Sequence, residues 1–218
     1  MSYRLGVDVG GTFTDFLLIN ESDGSTYTAK VPSTPEDSSI GVLNGVARIC
    51  EQSGVNPKDI KLVMHGTTVA TNAVLTGNGA KVGLLTTQGY ESILQVARSF
   101  CPGGLGGWVS FVKGPLLAPL ELTYGIKERT DATGEISIPL DEDHLKEQLT
   151  QLKKRGQVEA LTISFVNSYI NNTNEVLAAK IAAEIFTDVP ISISSEVIPE
   201  MQEYERAETT VLNSYVRP

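Results

Sequence analysis

The sequence predicts a mixed α/β fold, a sheet with helices packed on it. Three observations carry that reading. Three strand-like segments come first, separated by Gly10-Gly11 and by Asp23-Gly24. A capped helical period follows, running toward Ser53. From Ile60 onward, short apolar strands alternate with helical stretches.

The elements follow in order. Residues 4–9 form a buried-looking strand, and residues 13–20 a second one. The turn at 21–25 contains Asp23-Gly24, which supplies positive φ, and residues 26–31 make the third strand. Residues 32–37 look like a helix start, with Thr34 as N-cap, Pro35 at the first helical position and acids in the first turn. Ile40, Val42, Leu43, Val46, Ala47 and Ile49 carry the helical period, and Gly54 stops it. Residues 60–64 form an apolar strand ending in His65, Gly66, Thr67 and Thr68, before a helix over 69–75 and a strand over 81–86.

Residues 99–120 are too glycine-rich for a packed helix or strand and hold the single tryptophan, Trp108. A loop of that length is functional or mobile, or else a surface excursion with Trp108 tucked onto the body. Beyond it come ragged β structure over 121–129, a turn at 131–134 and a short strand over 135–138. Asp141 caps a helix over 142–155, closed by Gly156. A buried strand over 158–165, a helix over 173–186, a strand over 190–194 and a helix over 200–215 complete the chain. No internal repeat and no clean domain boundary is visible, and the weakest seam is 99–120.

Composition narrows the function. The 218 residues are 41% hydrophobic, with 20 glycines and 10 prolines, which suits one large domain or two small ones. The formal charge of −9 disfavours nucleic acid, whose phosphates would be repelled. No run approaches the roughly 18 apolar residues of a membrane span. Met1, Ser2, Tyr3 and Arg4 lead straight into a strand, without a secretory signal. Cys50 and Cys101 are far apart and have no metal or redox spacing, which fits a reducing, cytoplasmic setting.

The turn between the first two strands carries the chemistry. Gly10 and Gly11 let the backbone approach a ligand and aim N–H groups at it, and Thr12 and Thr14 add hydroxyls. Asp8 and Asp15 flank the turn, and a carboxylate at a strand end suits the metal that travels with phosphate. No Gly-Lys-Ser/Thr follows, so this is no Walker loop, and a strand rather than a helix comes next, so it is no dinucleotide fingerprint. The same residues also make a plain hairpin.

His65, Gly66, Thr67 and Thr68 lie between a strand and a helix, where N–H groups and the dipole favour an anion; His65 can equally be a satisfied histidine at a strand end. Arg98 suits either a substrate contact or a surface ion pair, Glu203, Glu205 and Arg206 read as charges on a helix face, and His144 receives no role.

Several runs together resemble one family. They are DVGGTFTD (Asp8 to Asp15), KVPSTPED (Lys30 to Asp37), HGTTVATNA (His65 to Ala73), LLTTQGY (Leu84 to Tyr90), Glu128-Arg129, SEVIPEMQEYER (Ser195 to Arg206) and TTVLNSY (Thr209 to Tyr215). In this order they resemble the N-terminal region of the hydantoinase A/oxoprolinase family, over nearly all of residues 1–218. The resemblance implies a ribonuclease H-like mixed sheet with flanking helices, the N-terminal domain of an actin-like ATPase in the acetate and sugar kinase, heat-shock chaperone and actin superfamily. It implies ATP and Mg2+ as cofactors, and phosphorylation of a small cyclic amide (a hydantoin, 5-oxoproline or another lactam) for ring-opening hydrolysis. A hydantoinase B-type subunit or domain is the implied partner.

Related acetone and acetophenone carboxylases use the same kind of ATP-handling subunit on a ketone. Family subunits run several hundred residues longer, so the resemblance also implies a missing C-terminal half and an inactive fragment. A non-catalytic binding or assembly module is the alternative. By the same resemblance Asp8 holds Mg2+ through water or orients the attacking group. Gly10, Gly11 and Thr12 meet the phosphates, with Thr14, Gly66, Thr67 and Thr68 as further nucleotide contacts. Asp15 either shares the metal or braces the turn, and His65 is catalytic.

Overall fold

The first sheet is built from the two predicted hairpins. Strands β1 (Tyr3–Val9), β2 (Phe13–Asn20) and β3 (Thr26–Pro32) pair antiparallel in succession. Helix α1 (Ser38–Ser53) then carries the chain back to β4 (Ile60–Thr67), parallel to β1, and α2 (Val69–Thr76) follows. The order is β3-β2-β1-β4, the mixed sheet that the sequence predicts. The computed structural model describes residues 2–34, 37–99, 101 and 103–217, and it divides into two compact units, Met1–Asn78 and Gly79–Pro218.

In the first unit, alternation sends Leu5, Val7, Val9, Phe16, Leu18, Ala29 and Val31 into one core with Ile49 of α1. Gly45 permits that packing, since a Cβ there would lie 2.0 Å from the Phe16 ring. The helix begins later than expected. Asp37 is the N-cap, its carboxylate accepting from the Ser39 N–H at 2.9 Å, and no acid lies in the first turn. Its short carboxylate reaches the orphan N–H directly, while Thr34 Oγ1 accepts instead from Gly41 N at 3.0 Å. Pro35 and Glu36 lie outside the described residues.

Strand β4 runs three residues past its predicted end, because pairing with β1 continues to Val9 opposite Thr67. It is an edge strand, and Leu62, Val63 and Met64 are 45%, 59% and 49% exposed.

The second unit is a parallel sheet with helices on both faces. Its strands are β5 (Val82–Thr87), β6 (Thr123–Ile126), β9 (Ala160–Ser164) and β10 (Ile191–Ile193), in the order β10-β9-β5-β6. Between β5 and β6 lie α3 (Ile93–Val96) and α4 (Gly104–Ser110); β7 (Arg129–Thr130) and β8 (Ile136–Ile138) form a small hairpin. Helices α5 (Glu142–Lys154) and α6 (Thr173–Ile185) bury Leu145, Leu149, Leu152, Ala178 and Ile181 against one face. The other face packs Leu94 of α3 with Ala207, Val211 and Tyr215 of α8 (Glu203–Val216), which follows the short α7 (Ser194–Val197). All of β5 and β9 is buried, as expected for parallel strands covered on both sides.

Two expectations change here. The stretch over 99–120 is not a plain loop, since α4 lies within it. Gly103 and Gly104 take φ of 88° and 62°, so these glycines reverse the chain into the helix rather than preventing one. Phe100, Pro102 and the Trp108 side chain lie outside what is described. The two units meet in sequence at Asn78 and Gly79, and residues 99–120 fall inside the second unit. Among the described residues, no helix is long and apolar enough to cross a membrane.

Candidate functional site

The glycine turn is tight for a steric reason. Gly10 N donates to Phe13 O at 3.0 Å and closes the hairpin. A Cβ on Gly10 would sit 2.8 Å from Phe13 O, and one on Gly11 would sit 2.8 Å from Asn72 Nδ2. Glycine is needed for close approach, not for left-handed φ. The chain after β3 braces the turn from behind: Ser33 Oγ donates to Gly10 O at 2.7 Å and Ser33 N donates to Thr12 O at 2.9 Å. Thr14 belongs to that brace. It is 1% exposed and its hydroxyl meets Ser33 Oγ at 3.0 Å, so alternation removes it from the ligand side.

Asp8 lies on the opposite face of the sheet from Val7 and the α1 core. Its register partners are Asp15 on β2 and Gly66 on β4. A Cβ on Gly66 would lie 3.8 Å from Asp8 Oδ1, so glycine leaves the space over that carboxylate open. A cavity of about 810 Å3 covers this part of the sheet, lined by Asp8, Asp15, Leu17, Lys30, Met64 and Gly66 among others.

Lys30 Nζ donates to both oxygens of Asp15, at 2.9 and 3.0 Å, and sits 5.2 Å from the Phe13 ring centre. Asp8 makes no ion pair among the described residues. Two adjacent carboxylates repel, and Lys30 relieves this by holding Asp15. Asp8 is left as the carboxylate available to a cation, and a share for Asp15 would require Lys30 to move. No group of three His, Cys, Asp or Glu side chains converges among the described residues. That donor set does not enclose a metal, but it fits Mg2+, which keeps its waters and takes one or two carboxylates beside phosphate.

The start of α2 is fastened to the end of β1. Thr68 N donates to Val9 O at 3.2 Å and Thr67 Oγ1 to the same oxygen at 3.4 Å. Thr68 is the N-cap without a side-chain cap bond, and its hydroxyl receives Asn72 Nδ2 at 3.3 Å. The amide of Asn72 therefore lies between the helix start and Gly11. A smaller cavity, about 300 Å3, opens beside the turn and is lined by Gly10, Gly11, Ser33, Thr34, Asn72 and Thr76 among others. Asn72 escaped the sequence reading; its trace was an amide side chain four residues after Thr68 on a mostly apolar helix.

The structure thus brings Gly10, Gly11, Thr67 and Thr68 to one end of the sheet, with Asp8 and Gly66 just inside it. His65 lines the same large cavity as Asp8, but it is in register with Val7, one residue from Gly66, so alternation sends its side chain to the other face.

The second unit holds a buried ionic network that sequence reasoning missed. Glu128 is 2% exposed and accepts from Thr87 Oγ1 and from Asn174 Nδ2, and burial pushes its carboxyl above the usual range. Glu175 is fully buried and accepts from Phe165 N at 2.8 Å, Ser194 Oγ at 2.6 Å and Ser195 N at 3.0 Å. Arg206 is not on an exposed helix face. It is 0% exposed and donates to Phe165 O, Glu200 O, Ser194 Oγ and the Glu203 carboxylate. Arg98 pairs with Glu205 at the surface, and His144 Nδ1 receives Lys127 N at 3.4 Å.

Comparison with known proteins follows the same lines. The caprolactamase subunit alpha of Pseudomonas jessenii is 37% identical over 220 residues, which cover 99% of this chain and 31% of that one. The crystal structure of the ATP-dependent caprolactamase from that organism matches with a TM-score of 0.84 at 36% identity, covering 99% of this chain and 31% of that one. The acetophenone carboxylase gamma subunit of Aromatoleum aromaticum is 33% identical, covering 98% of this chain and 31% of its own length. A nucleotide-free acetone carboxylase structure matches with a TM-score of 0.88 at 27% identity, covering 98% of this chain and 32% of that one. The chain spans about a third of the length of these relatives. Residues 4–186 match the hydantoinase/oxoprolinase N-terminal region, and the chain belongs to that family.

Proposed function

We propose that this chain is the N-terminal, phosphate-handling part of an ATP-dependent subunit that activates a cyclic amide for ring-opening hydrolysis. The observation that carries this is Asp8, left free on an open face between the Lys30-held Asp15 and Gly66, beside a turn whose glycines bring the backbone close. ATP supplies the phosphoryl group for the amide oxygen, with Mg2+ offsetting the phosphate charge.

This chain's residues position and polarise. The N–H groups of Gly11 and Thr12 face phosphate oxygens, and those at the start of α2, after Thr67 and Thr68, add the positive end of a helix. Asp8 holds the metal's water shell. Lys30 keeps Asp15 paired, so the second carboxylate does not raise the local negative charge. Thr14 and Ser33 keep the turn rigid, and His65, on the other face, takes no part in this chemistry. The adenosine pocket and a B-type partner belong to the remainder of the full-length assembly. The name of the caprolactamase relative favours a lactam as substrate.

A second reading, activation of a ketone for carboxylation, is favoured by the TM-score of 0.88 against acetone carboxylase. One experiment separates the two. The full-length protein with its B-type partner is supplied with Mg-ATP, and ADP release is followed with ε-caprolactam, hydantoin or 5-oxoproline, and with acetone or acetophenone plus bicarbonate. Lactam-dependent release supports the first reading, ketone-dependent release the second, and release stimulated by neither rejects both.

A further inference from the structure

The second unit has a site of its own. From β5 the chain goes to β6 on one side, and from β9 it goes to β10 on the other. The connections diverge at the carboxyl ends of β5 and β9, and in open parallel sheets that switch point is where ligands lodge. A cavity of about 360 Å3 lies there, within the size range of small-molecule sites. Gly89 and Tyr90 on its wall directly follow β5, and Glu203 on the wall accepts from Asn167 N, just beyond β9, at 3.0 Å.

The wall has a definite chemistry. Tyr90, Ile93, Val96 and Tyr204 give apolar and aromatic surface, and Ser92 and Glu203 give polar groups. The polar and aromatic members are held in place. The Arg129 guanidinium sits 5.2 Å over the Tyr90 ring, and Tyr90 N donates to Thr87 O at 3.0 Å. Glu203 is fixed by Arg206 on one oxygen and by Asn167 N on the other, and Asn167 adopts a left-handed φ of 59°. Each carboxylate oxygen has a further lone pair, and the Glu203 side chain stays 25% exposed. Burial and the nearby Glu208 and Glu205 raise the Tyr204 phenol, so it stays a hydrogen-bond donor. Among the described residues, Glu203 is the one charged side chain on this wall, and Arg206 already neutralises it. An anion would meet carboxylate oxygens and no lining cation, whereas an N–H donor would find a fixed acceptor.

We propose that this crevice binds a small, ring-shaped molecule without negative charge that carries an N–H group, with Glu203 accepting that N–H and Tyr90 and Tyr204 packing on the ring. Only the choice of a lactam as ligand rests on the proposed function; the crevice does not.

The test is a titration of the purified chain, followed through its backbone amide resonances. The probes are ε-caprolactam, its N-methyl derivative, cyclohexylamine and the 5-oxoproline anion. Caprolactam should move the resonances of Gly89, Tyr90 and Tyr204. The N-methyl derivative should bind at least about 10-fold more weakly, since it leaves a carboxylate acceptor unmatched, and 5-oxoproline should not bind there. Val96→Trp, at a half-exposed position on the rim, should fill the crevice and abolish the shifts without unfolding the chain. Equal binding of the N-methyl derivative, shifts confined to other residues, or shifts that persist in Val96→Trp would overturn the proposal, as would the absence of binding by every probe. Binding of cyclohexylamine but not caprolactam, at these same residues, would uphold the crevice and overturn the lactam as its ligand.

Discussion

Replacing Arg206 with methionine separates a buried arginine from a surface one. Methionine keeps the length of the stem, so the change removes donors rather than opening a large cavity. Four acceptors lose a partner: Phe165 O, Glu200 O, Ser194 Oγ and the Glu203 carboxylate. They do not weigh equally. Ser194 Oγ keeps Glu175 and Ser168, and the exposed Glu200 can turn to water. Phe165 O keeps only Ser168 N, at 3.3 Å, and its residue is 1% exposed, so no water replaces the guanidinium. Losing a hydrogen bond to a charged group costs about 1.5–3 kcal/mol, and the half-stranded Glu203 charge adds to that. The sum is about 3–4 kcal/mol, in the range for breaking a buried pair on one side.

Thermal unfolding followed by circular dichroism should show the second unit's transition falling by about 10 °C. The control is Arg98→Met, whose side chain is 67% exposed in its pair with Glu205 and whose loss should cost less than about 1 kcal/mol. If Arg206→Met melts within about 2 °C of the wild type, the network does not hold α8 to the sheet and the reasoning fails.

Three further outcomes follow from the geometry. Asp8→Asn in the full-length enzyme should keep the melting temperature and lower ATP-dependent turnover at least about 100-fold; turnover near normal would remove Asp8 from the chemistry. Gly10→Ala should destabilise the first unit by about 1–3 kcal/mol, because the new Cβ meets the backbone Phe13 O at 2.8 Å, whereas Gly11→Ala should cost less, because the end of the Asn72 side chain can swing away; equal losses for the two in chemical denaturation would contradict the contacts. Glu128 has a folded-state pKa raised by burial, so its contribution to stability is fully present below the unfolded carboxyl range and is lost as pH rises through the folded value. Urea unfolding of Glu128→Gln should show a flatter decline of stability from about pH 4.5 upward than the wild type, and an unchanged slope would refute the assignment.

Much of the fold was legible because its signals are local. Asp23-Gly24 makes a hairpin through its own φ preference, Asp141 caps α5 through His144 N at 2.9 Å, and Gly54 and Gly156 end helices at φ of 70° and 65°. The glycine turn was legible for the same reason. What stayed hidden depends on distant pairing. Whether His65 shares a face with Asp8 is decided by the register of β1 on β4, two strands separated by α1 in sequence, and a shift of one residue would exchange His65 for Gly66. Arg206 read as a surface charge because its acceptors, Phe165 O and Ser194 Oγ, come from other elements. Asn72 was passed over because nothing in its own helix shows that Gly11 will lie against it.

The exposed β4 has a practical consequence for anyone handling this chain. Proteins guard free sheet edges with lysines, prolines, bulges or a covering element, because an unguarded edge templates pairing with another molecule. From Ile60 to Thr67 the single lysine is Lys61, and the apolar Leu62, Val63 and Met64 follow it in solvent. The chain in isolation should therefore self-associate as its concentration rises and be lost on storage before its cores unfold. A single added charge at Val63, 59% exposed and on the face opposite Asp8, is the substitution that should keep it monomeric.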